Sequence, residues 1–263
     1  MKERFEFFRW ELTDDGIAIL FVDRPQVKNA MNTASWTEFL EFLTDAEADE
    51  RIRAIVISGT GDAFIAGADI NEIVGAPVSA ALFTVSAQVV RLIEIGYKPV
   101  IAAVNGAAFG GGFEVALACD VRVVAPQAIF GLPEPSLGLL PGMGGTQHLC
   151  KIIGSGRAKE VLMVGRNIRG EEAAALGLAM KCVQQEELLD AALKAARKML
   201  ERGPKALALI KRCINLAYST DDATGMLVEN LAFCALMRDW ESAEGVQAFL
   251  QKRKPNFSKQ NEV

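Results

Sequence analysis

Histidine is almost absent from this chain, which has a single one, His148, among 263 residues. A Ser/His/Asp hydrolase would have to use it, yet no GxSxG segment is present to carry the nucleophile. A metal site built on His and Cys would have too few ligands to assemble. The simpler interpretation is that His148 lies on a helix surface, or in the core with its polar atoms hydrogen-bonded, since no spacing rule supports a reactive role. Acid-base chemistry in this protein must therefore depend on carboxylates.

Segments that could enter or cross a membrane are also lacking. The start, MKERFEFFRWELTDDG, has no apolar stretch of signal-peptide length. The most apolar stretch, 100–118, is interrupted by Asn105, by glycines and by Glu114. Five cysteines, an odd number without a CxxC pair, indicate reduced thiols in a cytosol-like compartment. We therefore expect a cytoplasmic protein with no membrane partner.

A basic character is missing as well. Lys and Arg total 28 against 33 Asp and Glu, and the resulting net charge of −5 is spread over the whole chain. Nucleic acid is therefore not expected as a partner. The hydrophobic fraction of 51%, with no low-complexity tract, excludes a disordered or fibrous protein. The length allows one large domain, or one domain with a smaller appendage.

The first 130 residues alternate short apolar strands with helical segments, which predicts an α/β fold. Strands are expected at Phe5–Leu12, Ile17–Val22, Ala54–Ser58, Val100–Val104, Val121–Ala125 and Ala128–Phe130, and helices at Thr33–Ala46 and Ala80–Ile95. The order buried strand, glycine turn and helix start occurs twice, about 45 residues apart, in GTGDAFIAGAD and in NGAAFGGGFE. This is a repeated supersecondary unit.

Beyond Pro141 the pattern becomes almost wholly helical, with the clearest break at Gly203-Pro204. Helices are expected near 186–202, 204–218, 223–238 and 241–251. We predict a catalytic core at 1–200 and a helical C-terminal region at 201–263. The helices of that region carry apolar stripes, which suit contacts between subunits. The stripe residues are Leu207, Ile210 and Ile214, followed by Leu227, Leu231 and Cys234.

Two glycine turns can expose backbone N–H groups at the start of a helix, where negative charge binds. Gly110-Gly111-Gly112 lacks Cβ atoms, so a ligand can come close to the main chain. The segment Ala66-Gly67-Ala68-Asp69 offers a second such group. Two N–H donors that converge on one oxygen make an oxyanion hole, although tight packing of strand against helix also explains either turn. Asp69 is better interpreted as a helix cap than as a reactive group.

Two glutamates lie in surroundings that suit a chemical role. Glu114 follows three glycines within a small and apolar run, and a carboxylate buried there costs free energy unless it is paired, hydrogen-bonded or neutralised. Glu134 lies between Pro133 and Pro135, which fix the backbone and hence the direction of its side chain. An ordinary Pro-Glu pair in the first turn of a helix remains an alternative for Glu134.

Several motifs in order resemble the crotonase (enoyl-CoA hydratase/isomerase) superfamily over nearly the whole chain. They are RPQVKNAMN, GTGDAFIAGADI, PVIAAVNGAAFGGGFEVALACD, FGLPEPSLGLLPGMGGTQ and KRKPNF. The resemblance implies a crotonase-type spiral of ββα turns with a C-terminal helical region that forms trimers, commonly dimers of trimers. It also implies an acyl-CoA thioester as substrate, so that coenzyme A arrives with the substrate and neither a separate cofactor nor a metal is expected.

The same resemblance assigns the oxyanion hole to the N–H groups of Ala68 and Gly111, which would hold the thioester carbonyl oxygen. Having both Glu114 and Glu134 is similar to the hydratases, because many isomerases of the family have only the later glutamate. A water between the two carboxyl groups would add to Cβ while a proton goes to Cα. One of the pair must then have a raised pKa to donate a proton near neutral pH. Which glutamate is the base stays open, as do isomerisation, thioester hydrolysis and a non-catalytic RNA-binding relative.

Contacts to coenzyme A are also implied by the resemblance. They fall at Lys28, Ala66, Asp69, Ile70, Lys252 and Lys254. The lysines of the tail could reach a neighbouring subunit, although a solvated charged tail explains them equally well. Asn71 and His148 stand where many members of the family have lysine and arginine, and both differences bear on the phosphate contacts.

Overall fold

The computed structural model describes residues 5–73 and 84–257. Within these ranges ten strands form one sheet of six and one sheet of four. The strands are β1 (Phe8–Leu12), β2 (Ile17–Val22), β3 (Ala54–Gly59), β4 (Ala63–Ile65), β5 (Val100–Val104), β6 (Ala107–Phe109), β7 (Val121–Val124), β8 (Ile129–Gly131), β9 (Ile168–Arg169) and β10 (Lys181–Cys182).

The larger sheet has the strand order β1-β2-β3-β5-β7-β10. Only β1 is antiparallel to its neighbour, and β2, β3, β5, β7 and β10 run parallel. Continuous apolar runs such as VIAAV in β5 are buried along their whole length, as expected for parallel strands covered on both faces.

The smaller sheet has the order β4-β6-β8-β9. Its first three strands are each the immediate successor of a strand of the larger sheet, so that β3 leads to β4, β5 to β6 and β7 to β8. The chain thus alternates between two sheets before each helical or turn segment. This arrangement confirms the predicted α/β spiral of ββα turns with C-terminal helices.

Four short strands were not predicted. β4 and β6 lie inside the segments that we interpreted as glycine turns, and β9 and β10 interrupt the region that we expected to be almost wholly helical. Strands of two or three residues are too short to show a period-2 pattern in the sequence. Their position is fixed instead by pairing with distant strands.

The helices of the described part are α1 (Thr33–Ala48), α2 (Ile70–Ile73), α3 (Val85–Ile95), α4 (Gly111–Ala118), α5 (Gly145–Ile153), α6 (Ser155–Val164), α7 (Gly170–Ala175), α8 (Leu188–Leu200), α9 (Pro204–Leu216), α10 (Asp222–Leu236) and α11 (Trp240–Leu250). The side chain of Asn32 accepts from the N–H of Ser35, so Asn32 is the cap of α1. The first residues of the helix predicted at Ala80–Ile95, 80–83, lie outside the described residues. The structure starts α3 at Val85. None of the described helices is long and apolar enough to cross a bilayer.

Helix α4 lies in the centre of the core and contacts both neighbouring layers. The rings of Phe113 in α4 and Phe130 in β8 are 5.0 Å apart. A Cβ at Gly112 would lie 2.0 Å from the carbonyl oxygen of Ile65, so only glycine lets the helix approach β4 this closely. These two contacts fix the position of the helix that carries Glu114.

The C-terminal end of α4 is held by two charged residues. Arg122 donates to the carbonyl oxygens of Ala116, Leu117 and Cys119. Next to it, a carboxylate oxygen of Asp120 accepts from the N–H of Val100 at 2.7 Å. The same oxygen is 3.0 Å from the ammonium group of Lys211, in α9. The core and the C-terminal region, which we divided at residue 200, therefore share a largely buried ion pair.

Candidate active site

Glu114 lies in the first turn of α4 with only 2% of its surface exposed. One of its carboxylate oxygens, Oε1, accepts hydrogen bonds from the N–H of Met143 at 2.8 Å and of Gly145 at 2.7 Å. Gly145 is the first residue of α5, so the carboxylate lies at the positive end of a second helix. Burial raises the pKa of Glu114, and the two backbone hydrogen bonds oppose that rise.

Glu134 begins a short 3-10 turn, Glu134–Leu137, directly after Pro133. Its Oε2 atom is buried and has no hydrogen-bond partner within the described part of the chain. A Cβ at Gly110 would lie 3.0 Å from Oε1 of Glu134, which places the second carboxyl group directly over the glycine turn. Burial raises the pKa of Glu134, and the charge of Glu114 adds to the rise. The two glutamates are therefore electrostatic neighbours.

Two backbone N–H groups are free near these carboxyl groups. Gly111 is the first residue of α4, so its N–H has no partner inside the helix. The bridge between Met31 and the second turn uses the carbonyl of Gly67 and the N–H of Asp69, both at 2.8 Å, and leaves the N–H of Ala68 unused. Among the described residues neither free N–H takes part in a hydrogen bond.

The two glycine turns lie against each other. A Cβ at Gly110 would be 4.0 Å from Cα of Gly67, and one at Gly67 would be 3.3 Å from the carbonyl oxygen of Phe109. Gly67 and Gly110 have φ values of 116° and 51°, in the region that favours glycine. The backbone can therefore present donors from both turns to one ligand oxygen.

Apolar side chains surround the free N–H of Gly111. A Cβ at Gly111 would lie 2.8 Å from Cε of Met143 and 3.3 Å from Cζ2 of Trp36. Ile70 lies just after the second turn and is more than half exposed. Such surroundings lower the local dielectric and strengthen hydrogen bonds to a developing charge.

Of the predicted coenzyme A contacts, those near the second turn lie together. Lys28 is exposed, and its carbonyl oxygen accepts from the N–H of Ala66 at 3.1 Å. A carboxylate oxygen of Asp69 accepts from the N–H of Asn71 at 3.1 Å, which is the hydrogen bond that a capping role predicts. The structure thus brings Lys28 beside Ala66, and Asp69 of the same segment caps the start of α2.

Lys252 and Lys254 follow α11 and are exposed. Arg253, between them, forms an ion pair with Glu244 at 2.6 Å. No hydrogen bond or ion pair within 5–73 and 84–257 connects either lysine to the site around Glu114. Inside one chain these two predicted contacts therefore stay apart from the other site residues.

Sequence reasoning missed the residues that hold Glu114. The donors of Met143 and Gly145 are backbone groups, so their residue types carry no acid-base pattern. A sequence signal for these donors was the glycine-rich PGMGGTQ segment, which precedes a helix as the other two glycine turns do. His148, in α5, is 2.7 Å from a carboxylate oxygen of Glu94 and partly buried, and its Nδ1 atom has no hydrogen-bond partner within the described part of the chain, so it is not the fully satisfied core residue of the alternative interpretation.

A cleft of about 580 Å³ lies at the other end of α4. Its walls include Leu117, Asp120, Lys211, His148 and Glu94, and neither Glu114 nor Glu134 lines it. Four of its titratable side chains form two pairs, Asp120 with Lys211 and Glu94 with His148. We therefore assign the chemistry to the glycine turns and not to this cleft.

Two carboxyl groups beside free backbone N–H donors define a class of enzymes that stabilise an oxyanion and move a proton next to it. Residues 13–260 match the enoyl-CoA hydratase/isomerase family model, and the chain belongs to that family. This confirms the family suggested by the sequence motifs.

Individual relatives agree with this assignment. The chain is 40% identical to the crotonyl-CoA hydratase of Syntrophomonas wolfei, over 93% of this chain and 95% of that protein. It is 36% identical to the short-chain-enoyl-CoA hydratase of Clostridium acetobutylicum, over 90% and 92%. The crystal structure of an enoyl-CoA hydratase from Bacillus anthracis has a TM-score of 0.90 at 34% identity and covers 96% of this chain and 99% of that one.

Proposed function

We propose that this protein is an enoyl-CoA hydratase, which reversibly adds water across the 2,3 double bond of an enoyl-CoA thioester. The observation that carries the proposal is the presence of two carboxyl groups, Glu114 and Glu134, at one glycine turn. Addition of water needs a base for the water and an acid for the adjacent carbon, whereas a double-bond shift needs one group that moves a single proton. The hydratase names of the curated relatives support the same reaction.

In this proposal the thioester carbonyl oxygen accepts hydrogen bonds from Ala68 and Gly111. Attack of water at C3 moves the π electrons of the double bond toward C2 and that oxygen, which becomes an enolate. Two N–H donors fixed beforehand stabilise this charge without reorganisation, and one such donor is typically worth about 3 to 4 kcal/mol.

The environments of the two glutamates support different roles for them in this proposal. Two backbone N–H groups bind Oε1 of Glu114 and favour its anion, so Glu114 takes the proton of the attacking water. Glu134 has an unpartnered oxygen and a negatively charged neighbour, which favour its neutral form, so Glu134 gives its proton to C2. The oxygen of water bonds to C3, and a later proton exchange between the carboxyl groups and solvent restores the starting state.

The substrate class follows from the relatives and from the site. We propose a short-chain enoyl-CoA such as crotonyl-CoA, because the two curated relatives carry crotonyl and short-chain names. Lys28, beside Ala66, is our candidate for a phosphate contact of coenzyme A. The loss of conjugated-enoyl absorbance should be fastest with a four-carbon thioester in a panel that also includes long and cyclic ones.

We also propose a trimer or a dimer of trimers in the cytoplasm. Helix α10 has no buried residue, and four large apolar side chains on it are more than half exposed: Met226, Leu227, Leu231 and Phe233. Met237, which directly follows the helix, is equally exposed. A second copy of the chain is the partner expected to cover such a surface. In this assembly Lys252 and Lys254 would serve the site of a neighbouring subunit. All five cysteines are free thiols, which supports a reducing compartment.

The oligomer is tested by sedimentation. We expect a species of three or six chains at micromolar concentration, because α10 alone cannot bury its apolar residues. Leu231→Glu should shift the distribution toward the monomer. A wild-type protein that sediments as a monomer contradicts the assembly.

The hydratase reaction is tested by Glu114→Gln and Glu134→Gln. Each change keeps the volume of the side chain and removes its ionisable proton, so kcat should fall about 10² to 10⁴-fold while KM changes little. Because both groups act on one addition, the double variant should lose far less than the product of the single losses. Glu171→Gln, on the exposed side of α7, is the matched control and should retain full activity.

A loss of activity in only one of the two variants would indicate a different reaction. If Glu114→Gln keeps near-normal hydration while Glu134→Gln is inactive, one acid-base group carries the chemistry and an isomerase reaction is the better account. Product analysis by chromatography then distinguishes a shifted double bond from a 3-hydroxyacyl thioester.

A further inference from the structure

His148, the only histidine, lies in the first turn of α5, the helix whose N-terminus holds Glu114. Its Nε2 atom is 2.7 Å from Oε1 of Glu94, in α3. Both side chains are mostly buried, with 15% and 24% of their surfaces exposed. The pair therefore connects two helices directly behind the proposed base.

The ring of His148 covers Gly144. A Cβ at Gly144 would lie 2.7 Å from Cε1 of the ring and 3.1 Å from Nδ1, so only glycine fits beneath it. Gly144 has a φ of 106°, in the left-handed region. The imidazole thus packs on the residue at which the chain turns into α5.

One peptide group joins His148 to the base. The carbonyl oxygen of Gly144 accepts from the N–H of His148 at 2.9 Å, and the N–H of Gly145, in the same peptide plane, donates to Glu114 at 2.7 Å. A rotation of this peptide would move the donor away from the carboxylate. The ring that packs on Gly144 opposes such a rotation.

Packing alone does not explain a histidine at this position. Nδ1 of His148 is buried without a hydrogen-bond partner within the described part of the chain, and an unsatisfied buried polar atom costs free energy. An apolar side chain could cover Gly144 without that cost. What only the polar ring provides is the bond to Glu94.

We propose that His148, held by Glu94, is a positioning residue for Glu114: it keeps the Gly144-Gly145 peptide in place so that the base stays aligned toward the substrate. This inference rests on the proposed hydratase function.

Other charges face this pair from the neighbouring elements. Burial works to raise the pKa of Glu94, but the hydrogen bond from His148, together with Arg91 and Lys151, holds that pKa below its ordinary value. Glu94 therefore faces the ring as an anion, and attraction to His148 also lowers the pKa of Glu114. A change at Glu94 should reach Glu114 through the ring.

The first test replaces His148 by Ala in the full-length protein. We expect kcat for crotonyl-CoA to fall about 10- to 100-fold with KM within about threefold, because misplacing a reacting group by an ångström costs up to about 10²-fold. The acidic limb of the kcat profile should move to higher pH, because the variant weakens the backbone hydrogen bonds and loses the attraction of His148, and both lower the pKa of Glu114. Amide hydrogen exchange at Met143 and Gly145 should become at least about tenfold faster.

Changes at Glu94 separate positioning from charge. Glu94→Gln keeps an oxygen that accepts from Nε2 of His148, so it should behave like the wild type, whereas Glu94→Ala should behave like His148→Ala. The double Ala variant should lose no more than the worse single variant, because the two residues act as one unit. Lys159→Ala, at an exposed position of α6 among none of the charges that act on Glu94, is the control and should retain kcat within about twofold.

Two results would overturn the positioning role of His148. Unchanged kcat and unchanged exchange at Met143 and Gly145 in His148→Ala overturn the proposal, and so does an equal loss in Glu94→Gln and Glu94→Ala. If His148→Ala does not fold, the two Glu94 variants carry the same test. If the wild type hydrates no enoyl-CoA, the proposed function fails, but the exchange measurement still decides the positioning role.

Discussion

The two ends of α4 are built in opposite ways. At the N-terminal end the N–H of Gly111 makes no hydrogen bond with the described residues, and Gly110 has a φ of 51° that brings the backbone close to Glu134. At the C-terminal end the carbonyl oxygens of Ala116 and Leu117 accept from a partly buried guanidinium group, that of Arg122. Helix termini ordinarily leave such groups to water. Here the carbonyl oxygens of one end are bound by a side chain, which holds the helix still, while the other end keeps its donor for the substrate.

The largest effect is expected at the open end. Gly111→Pro removes the proposed oxyanion donor and should lower kcat/KM at least about 10² to 10³-fold with the fold kept, since proline suits the first position of a helix. Gly111→Ala is the matched control because it keeps the N–H. Its Cβ would lie 2.8 Å from Cε of Met143, at the flexible end of that side chain, and 3.3 Å from the ring of Trp36. Enoyl absorbance gives the rate and circular dichroism the fold. Activity in a folded proline variant would place the oxyanion elsewhere.

At the bonded end we expect a loss of stability instead of rate. Arg122→Met leaves several buried carbonyl oxygens unsatisfied and should lower the free energy of unfolding by about 2 to 4 kcal/mol. Urea denaturation followed by tryptophan fluorescence, at one fixed protein concentration, measures this change. Activity at low temperature should stay within about tenfold of the wild type. A loss of rate as large as that of the proline variant would remove the distinction between the two ends.

The smallest effect concerns the pH dependence of stability at Glu134, which faces the open end. Its pKa is raised in the folded state by burial and by the charge of Glu114. The protonated side chain therefore stabilises the folded state fully at pH values below its pKa in the unfolded chain. This stabilisation is lost as pH rises through the pKa that the side chain has in the folded state. Glu134→Gln removes this loss, so its stability relative to the wild type should increase as pH rises above about 4.5. Urea midpoints at several pH values measure it, and a constant difference would contradict the raised pKa.

The long apolar elements could be predicted from the sequence because their patterns are local. β2, β3 and β5 are continuous apolar runs, and the predicted bounds agree with the structure to within a residue. β4 and β6 could not be found in this way, since each has three residues next to glycines and exists only through its pairing in the smaller sheet.

A similar division applies to the site. Glu114 and Glu134 could be singled out because a carboxylate in an apolar or proline-fixed segment contradicts its surroundings, and the structure places both at one glycine turn. The assignment of base and acid required the backbone donors of Met143 and Gly145, and these depend on the tertiary fold. The link between His148 and Glu94 joins two helices and likewise leaves no periodic trace in the sequence.

The ion pair between Asp120 and Lys211 has a consequence for the order in which the chain matures. The two residues are 91 positions apart, and chains are synthesised at about 5 to 20 residues per second, so Lys211 is made roughly 5 to 20 s after Asp120. Until then the carboxylate at the end of α4 lacks its ion-pair partner and has only the nearby charge of Arg122. We therefore expect the nascent core to remain incompletely closed, and accessible to chaperones, until the first helix of the C-terminal region has left the ribosome.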